Sequence, residues 1–335
     1  MNLVRTMPHF LRGSRILVLV ASLGLGPAIG CAAGAVPALG LHAGRDDAIA
    51  QYDAFGDWLG RKVMYRVVFC DQASWSTIAS PWFLGGTRKW LDSDPGRVEV
   101  ISLPLLPKGE ERNFAAVASG QHDKDFAAFA QSLQSRGFAP RVIVRLGWEG
   151  NGDWYPWAYA SDPAGYRAAF QRAVQAMRKV APALRFDWCV SSRASRKGGP
   201  AAWTDGYPGD DVVDIISMDT YDEYQPNWDT LLNGEAGLRE LREFAIKHDK
   251  PEAYPEWGCS TNRSAKGGGD NVSFVEHMAE WFRGRPGGVL YQAYWNTSSG
   301  GPKGAIFGDR SVLPNAAAGY HRLFGGVTGA SSKPQ

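Results

Sequence analysis

Histidine and cysteine are scarce in this chain, with six His and four Cys among 335 residues. No run of His, Asp and Cys falls where apolar segments end, so nothing in the pattern calls for a metal, and no cofactor is expected. Cys70, Cys189 and Cys259 follow no zinc-ligand spacing. As three residues they leave at least one thiol unpaired, and buried free thiols are their expected state. Charge of one sign is also lacking. The net charge of +2 gives no electrostatic reason for nucleic acid or an anionic membrane surface as partner. The one prominent N-terminal apolar run, Ile16 to about Leu25, is too short for a comfortable membrane span. A glycine-rich phosphate loop is absent too, since His42-Ala-Gly-Arg follows the first core run. No linker, low-complexity tract or second domain interrupts the chain.

What is present begins with an export signal. Arg5, Arg12 and Arg15 precede the apolar run, and small residues follow it. Ala28-Ile29-Gly30-Cys31 is similar to a bacterial lipobox, which makes Cys31 the lipidated first residue of the mature protein. Cleavage near Ala38 is the alternative. Both readings carry the protein out of the cytoplasm, either to the cell envelope as a lipoprotein or to the periplasm or medium. The expected organisation is a signal over 1–31, a tether over 32–38, one catalytic domain over 39–325 and a tail over 326–335. A monomer is expected, touching membrane only through Cys31.

Eight short apolar runs then recur: Leu39–Ala43, Lys62–Cys70, Arg97–Leu103, Arg141–Gly147, Arg185–Val190, Val212–Met218, Glu252–Glu256 and Gly288–Tyr294. Most are continuous in Val, Ile and Leu, as in strands buried on both faces of a parallel sheet. Helical spacing fills the gaps, for example Ile49, Tyr52, Phe55 and Leu59, or Tyr166, Phe170, Val174 and Met177. Asp162-Pro163 marks a helix start. Eight strand–helix units in about 290 residues predict an α/β fold, a single-domain (β/α)8 TIM barrel. An open doubly wound sheet is the runner-up.

Two glutamates close runs in aromatic settings. They are Glu149 in Arg145-Leu-Gly-Trp-Glu149-Gly-Asn151-Gly-Asp-Trp154-Tyr-Pro-Trp157 and Glu256 in Lys250-Pro-Glu-Ala-Tyr-Pro-Glu256-Trp-Gly258. Barrel chemistry sits at the C-terminal strand ends, where strands four and seven face each other. Such a carboxyl pair suits glycosidic cleavage, one protonating the leaving oxygen while the other attacks the anomeric carbon. Residues 145, 147 and 149 alternate onto one strand face, so Arg145 is expected beneath Glu149. Most of the 13 Trp residues cluster after apolar runs, which suggests a sugar-stacking surface. Trp75, Trp82, Trp148, Trp154, Trp157, Trp203, Trp228, Trp257 and Trp295 make up that set. Asn151 and Asn296 are expected to reach hydroxyl edges, with His42, Asp71, Gln72, Asp222 and Glu223 as further contacts. Insertions at 74–86, 192–209 and 262–270 are expected to wall a groove for an extended polysaccharide.

These motifs resemble glycoside hydrolase family 26, the β-mannanase family of the retaining-hydrolase barrel clan GH-A. The fourth-run motif is similar to the family's Arg, then Glu-x-Asn-Gly-x-Trp-aromatic-x-Trp, as Arg145, Glu149, Asn151, Gly152, Trp154, Tyr155 and Trp157. Asp219-Thr-Tyr221 resembles its Asp-x-Tyr, Glu256-Trp-Gly258 its nucleophile strand, and Tyr294-Trp295-Asn296 its closing strand. The resemblance implies Glu149 as acid/base and Glu256 as nucleophile. It also implies Tyr221 as hydrogen-bond donor to the nucleophile, Trp295 as sugar platform and Trp154 as support of the neighbouring subsite. One position departs: Trp148 stands where family mannanases carry His, which points to a polymer other than mannan. The rival reading is a barrel that binds polysaccharide without cutting it, and the presence of both glutamates with Tyr221 weighs against that.

Overall fold

The computed structural model describes residue 1 and residues 36–44, 49–193, 201–224, 227–285, 288–299, 301–309 and 311–326. The expected export segment with Cys31 and the tail from 327 lie outside the described residues.

Eight strands form a closed parallel barrel in sequential order: β1 Ala38–His42, β2 Tyr65–Phe69, β3 Val98–Leu103, β4 Val142–Leu146, β5 Arg185–Ser191, β6 Ile215–Tyr221, β7 Glu252–Gly258 and β8 Val289–Trp295. β8 returns to pair with β1. The helices are α1 Ile49–Leu59, α2 Trp75–Ala79, α3 Leu84–Ser93, α4 Phe114–Ala118, α5 Asp123–Gln134, α6 Pro163–Val180, α7 Trp228–Asn233, α8 Leu238–Lys247, α9 Val272–Arg283 and α10 Pro314–Phe324. Asp162 caps α6 through its side chain, with Pro163 in the first turn, as the sequence predicts.

Apolar residues cover both strand faces because the sheet is buried on both. The outward side chains, such as Leu41, Ile101, Val144 and Trp188, pack under the helices in the main core. Inside, Tyr65, Val67, Val100, Ile143, Ile215, Ala253, Tyr291 and Ala293 form a separate apolar floor. Tyr65 and Tyr291 stack across it at 4.4 Å. Above that floor the interior turns polar, with Ser102, Arg145, Asp187, Ser217 and Asp219 all fully buried.

Two strand ends differ from the expected runs, and both differences place a glutamate. β4 stops at Leu146. Gly147 and Glu149 then adopt left-handed backbone, with φ of 52° at each, so strand alternation does not carry Glu149 onto the face of Arg145. A turn aims it instead. The backbone N–H of Glu149 donates to Cys189 O at 2.8 Å, anchoring that turn on β5.

In β7 the register slips. Ser217 pairs with Ala253 but Thr220 with Trp257, so β7 spends one residue more than β6 over the same span. The pairing with β8 is irregular over the same stretch. Pro255 lies inside this bulge, where it needs no ladder N–H. Simple alternation from inward Ala253 would send Trp257 inward and Glu256 out. The extra residue inverts that parity: Glu256 meets Arg145 inside the barrel, and Trp257 packs outside under the helices.

Candidate active site

Arg145 organises the barrel mouth. It rises from β4 at 0% exposure, and its Nε donates to Ser102 Oγ on β3 at 3.0 Å. Its Nη1 reaches both Asp219 oxygens on β6, at 2.8 and 2.9 Å. Its Nη2 donates to Glu256 Oε1 on β7. Burial pushes the Asp219 carboxyl up and the guanidinium pulls it back; two short contacts to one nitrogen fit the ion pair. Tyr221, two residues beyond Asp219 on the same face, donates its hydroxyl to Glu256 Oε2 at 2.8 Å. Both oxygens of Glu256 are thereby held, at 7% exposure.

Glu149 sits partly open at the end of the β4 turn. Its Oε2 accepts from Trp154 Nε1 at 2.9 Å. The motif spacing explains that contact. The Trp154 indole lies so close over Gly152 that a Cβ there would meet it at 2.5 Å. Only glycine lets the ring fold back onto the glutamate. Burial pushes the Glu149 carboxyl up to about 7; the charge of Glu256 adds to this, while Trp154, Arg145 and Ser191 pull against it. Glu149 and Glu256 therefore feel one another across one site and differ sharply in environment. The first has a neutral indole donor, the second a guanidinium and a phenol.

The aromatic walls are fewer than the sequence suggests. Trp295 is half-buried with His42 stacked beneath it at 4.1 Å, and Tyr221 and Phe69 meet it edge-on. His42 donates Nδ1–H to Val67 O at 2.9 Å, and burial lowers its pKa, so it supports Trp295 as a neutral ring. Trp154 and Trp82 are exposed. Trp148 is 1% exposed, packed against Phe69, Tyr155 and Trp157, with Arg145 over its ring.

Several expected sugar contacts serve the scaffold instead. Trp257 is fully buried between β7 and α10, with its N–H on Gln292 Oε1 at 2.5 Å. Trp157 is fully buried and donates to Trp148 O, which fixes the β4 turn from behind. Asn151 spends both side-chain atoms on the backbone of Ser191, at 2.7 and 2.8 Å. Asn296 likewise ties down Ile306 and Phe307. Asp222 accepts from Ser260 N and Asn271 Nδ2, pinning the loops after β6 and β7. Asp71 caps its own turn through Ala73 N and also lines a cavity of about 240 Å³ with Gln72, Trp82, Lys108 and His42. That cavity lies beside β2 and includes neither glutamate. Trp75 stacks on His122 and bonds Glu110, Trp203 is buried, and Trp228 stacks on His277. Of the expected groove walls, residues 194–200 lie outside the described residues.

Asp219 and Tyr155 belong to the sequence motifs but carry no role there, and the fold brings both to the site. Asp219 hides in an apolar strand, and its signal is parity: it is two residues before Tyr221. Tyr155 is half-buried and feels the charge of both Glu149 and Glu256.

A closed parallel barrel with two carboxyls at opposed strand ends defines the class: a (β/α)8 barrel with an acidic mouth. Comparison places it within that class. The sequence model of glycosyl hydrolase family 26 matches residues 116–245, a stretch that includes Glu149 and stops before Glu256. A mannan endo-1,4-beta-mannosidase of Bifidobacterium adolescentis is 25% identical over 260 residues, which is 70% of this chain and 25% of that protein. Endoglucanase H of Acetivibrio thermocellus is 28% identical over 197 residues, 57% of this chain and 20% of that protein. The chain thus spans a quarter or less of the length of these relatives. In fold it is similar to the mannanase man26 of Bacillus subtilis, with a TM-score of 0.59, 17% identity and 90% of each chain covered. A modular endo-beta-1,4-mannanase of Cellulomonas fimi also gives a TM-score of 0.59, at 18% identity over 86% of this chain and 70% of that one. The chain is thus similar in sequence to glycosyl hydrolase family 26 over residues 116–245, and in fold to solved (β/α)8 barrels.

Proposed function

We propose that this barrel is a retaining glycoside hydrolase that cleaves inside a β-linked polysaccharide, with Glu256 as nucleophile and Glu149 as acid/base. The observation that carries the reading is the division of labour between the two carboxyls. Glu256 is fixed at both oxygens by Arg145 and Tyr221, while Glu149 is raised to about 7 under the Trp154 indole. Glu256 attacks the anomeric carbon as Glu149 protonates the departing oxygen. A water then enters, Glu149 takes its proton, and the new hydroxyl displaces Glu256 from the sugar. No cofactor enters either step.

Trp295 on its His42 support offers a flat face for a pyranose ring, and exposed Trp154 extends that surface beside Glu149. The polymer itself is a mannan-like glycan or an exopolysaccharide. The relatives named for mannan and for glucan hydrolysis support a β-linked chain, and Trp148, buried among Phe69, Tyr155 and Trp157, presents no hydroxyl contact where the resembled mannanases carry His. A panel of β-mannans, β-glucans, xylans and bacterial exopolysaccharides tests this. Internal cleavage of at least one supports the proposal, and tight binding with no new reducing ends would replace it with a binding role.

The pH dependence follows from Glu149. The first step needs it protonated, so kcat/KM on unactivated glycans falls as pH rises through about 7. Trp154 pulls that carboxyl down. Trp154→Phe keeps the ring cover and removes the N–H, so the alkaline limb moves to higher pH whatever happens to KM. A limb that stays put, or moves down, would separate Glu149 from the acid role.

Export remains part of the proposal, supported by the basic, apolar and small-residue order of residues 5–31. In a bacterial host, intact mass should show the mature chain beginning at a lipidated Cys31. A Cys31→Ser chain should lose the lipid mass and leave the membrane fraction. A chain retaining all of residues 1–31 would contradict export.

A further inference from the structure

Directly beneath the catalytic machinery lies a carboxyl that the proposed reaction does not use. Asp187 is the register partner of Arg145 on β5 and is fully buried inside the barrel. Yet neither of its oxygens has a hydrogen-bond partner, and the Arg145 donors go to Ser102, Asp219 and Glu256 instead. The buried Ser217 hydroxyl faces Asp187 without reaching full hydrogen-bond geometry, and the buried Tyr291 hydroxyl is unpartnered. The groups facing this space are Arg145 on β4, Cys189 on β5, Ser217 and Asp219 on β6, Glu256 on β7 and Tyr291 on β8, stacked on Tyr65 of β2. Tyr166 of α6 also feels Asp187 from outside the barrel wall. Arg145 is the cation acting on Asp187, and two carboxylates already share it. A third anion there would be desolvated and without a cation of its own.

We propose that Asp187 is a positioning residue, held as an uncharged carboxylic acid so that the Arg145 guanidinium stays committed to Asp219 and Glu256. This role rests on the glycosidase reading, but its protonation state does not. Burial pushes the Asp187 carboxyl up to about 7, against the pull of Ser217 and Arg145. Above that pH the new anion competes for the guanidinium and loosens the hold on Glu256.

The test is carboxyl-carbon NMR of resting protein labelled at aspartate, without any glycan, at about pH 5.5. A protonated aspartyl resonance should be present, titrate upward near pH 7, and vanish in Asp187→Asn. The raised folded value also fixes a stability slope. Wild type loses stability as pH climbs from the ordinary carboxyl range through about 7, and Asp187→Asn, lacking the proton, does not. Unfolding midpoints of the two should therefore draw apart in favour of the variant between about pH 5 and pH 8. On an activated aryl glycoside, whose first step does not draw on the Glu149 proton, the variant should keep kcat/KM within about threefold at the lower pH and retain it further into alkali. An Asp187 resonance already ionised at the lower pH, or a folded Asp187→Asn that loses about 100-fold there, would overturn the proposal. Should Asp187→Asn fail to fold, Asp187→Val, which carries no charge and similar bulk, should still fold. Failure of both means that the ionised group is required, and the proposal falls. The NMR result stands whether or not any glycan is cut, so it separates this inference from the function it refines.

Discussion

Glu256→Ala should remove turnover of every glycoside, lowering kcat by at least about 10⁴-fold, which corresponds to about 5 kcal/mol of lost transition-state stabilisation. The reason is that both the bond to the anomeric carbon and the alignment of that bond are lost together. Arg145 and Tyr221 converge on this one carboxyl, and among the described residues no other carboxyl is bonded to both. The fold should survive, since Arg145 keeps Asp219 and Ser102. Glu256→Gln, which retains the shape, should be almost as inactive, because an amide cannot attack. Added azide should restore cleavage of an activated aryl glycoside in the alanine variant and give the opposite anomer. Wild-type rates in either variant would remove Glu256 from the chemistry.

Glu149→Ala should divide substrates by leaving group. Natural polysaccharide, whose departing alkoxide needs a proton, should be cut about 10²- to 10⁴-fold more slowly. An aryl glycoside with an acidic phenol needs little protonation, so its first step should stay fast. Its second step needs the base, so a burst of phenol should precede slow turnover as the glycosyl-enzyme accumulates. Equal losses on both substrates, with no burst, would point to Glu149 as a binding group.

The barrel was legible because continuous apolar runs are what a doubly buried parallel sheet demands, and the eight runs overlap the eight strands. Both glutamates were legible from their aromatic, glycine-containing motifs. How they reach the cleft was not. Glu149 is aimed by a left-handed turn after β4, whereas alternation from Arg145 would have kept it on the strand. Glu256 owes its inward direction to one extra residue around Pro255, and a run of five letters carries no sign of a register slip. The tryptophans misled for a related reason. An indole after a strand looks the same in sequence whether it stays exposed, like Trp154, or closes the shell around the barrel, like Trp257 and Trp157. Asn151 and Asn296 are polar loop residues whose hydrogen bonds are consumed by neighbouring backbone, which only the fold reveals. Asp187 was hidden within an apolar strand, and Asp219 showed only as part of the Asp-x-Tyr motif, because the interior of this barrel is polar above its floor.

One measurement bears on all of this most directly: the anomeric configuration of the first product released from a cleaved glycan, read by proton NMR before mutarotation. Two carboxyls about 5–5.5 Å apart, one attacking and one protonating, give a sugar hemiacetal of the same configuration as the bond that was broken. Retention is the predicted result. A product of inverted configuration would mean that water, not Glu256, meets the anomeric carbon.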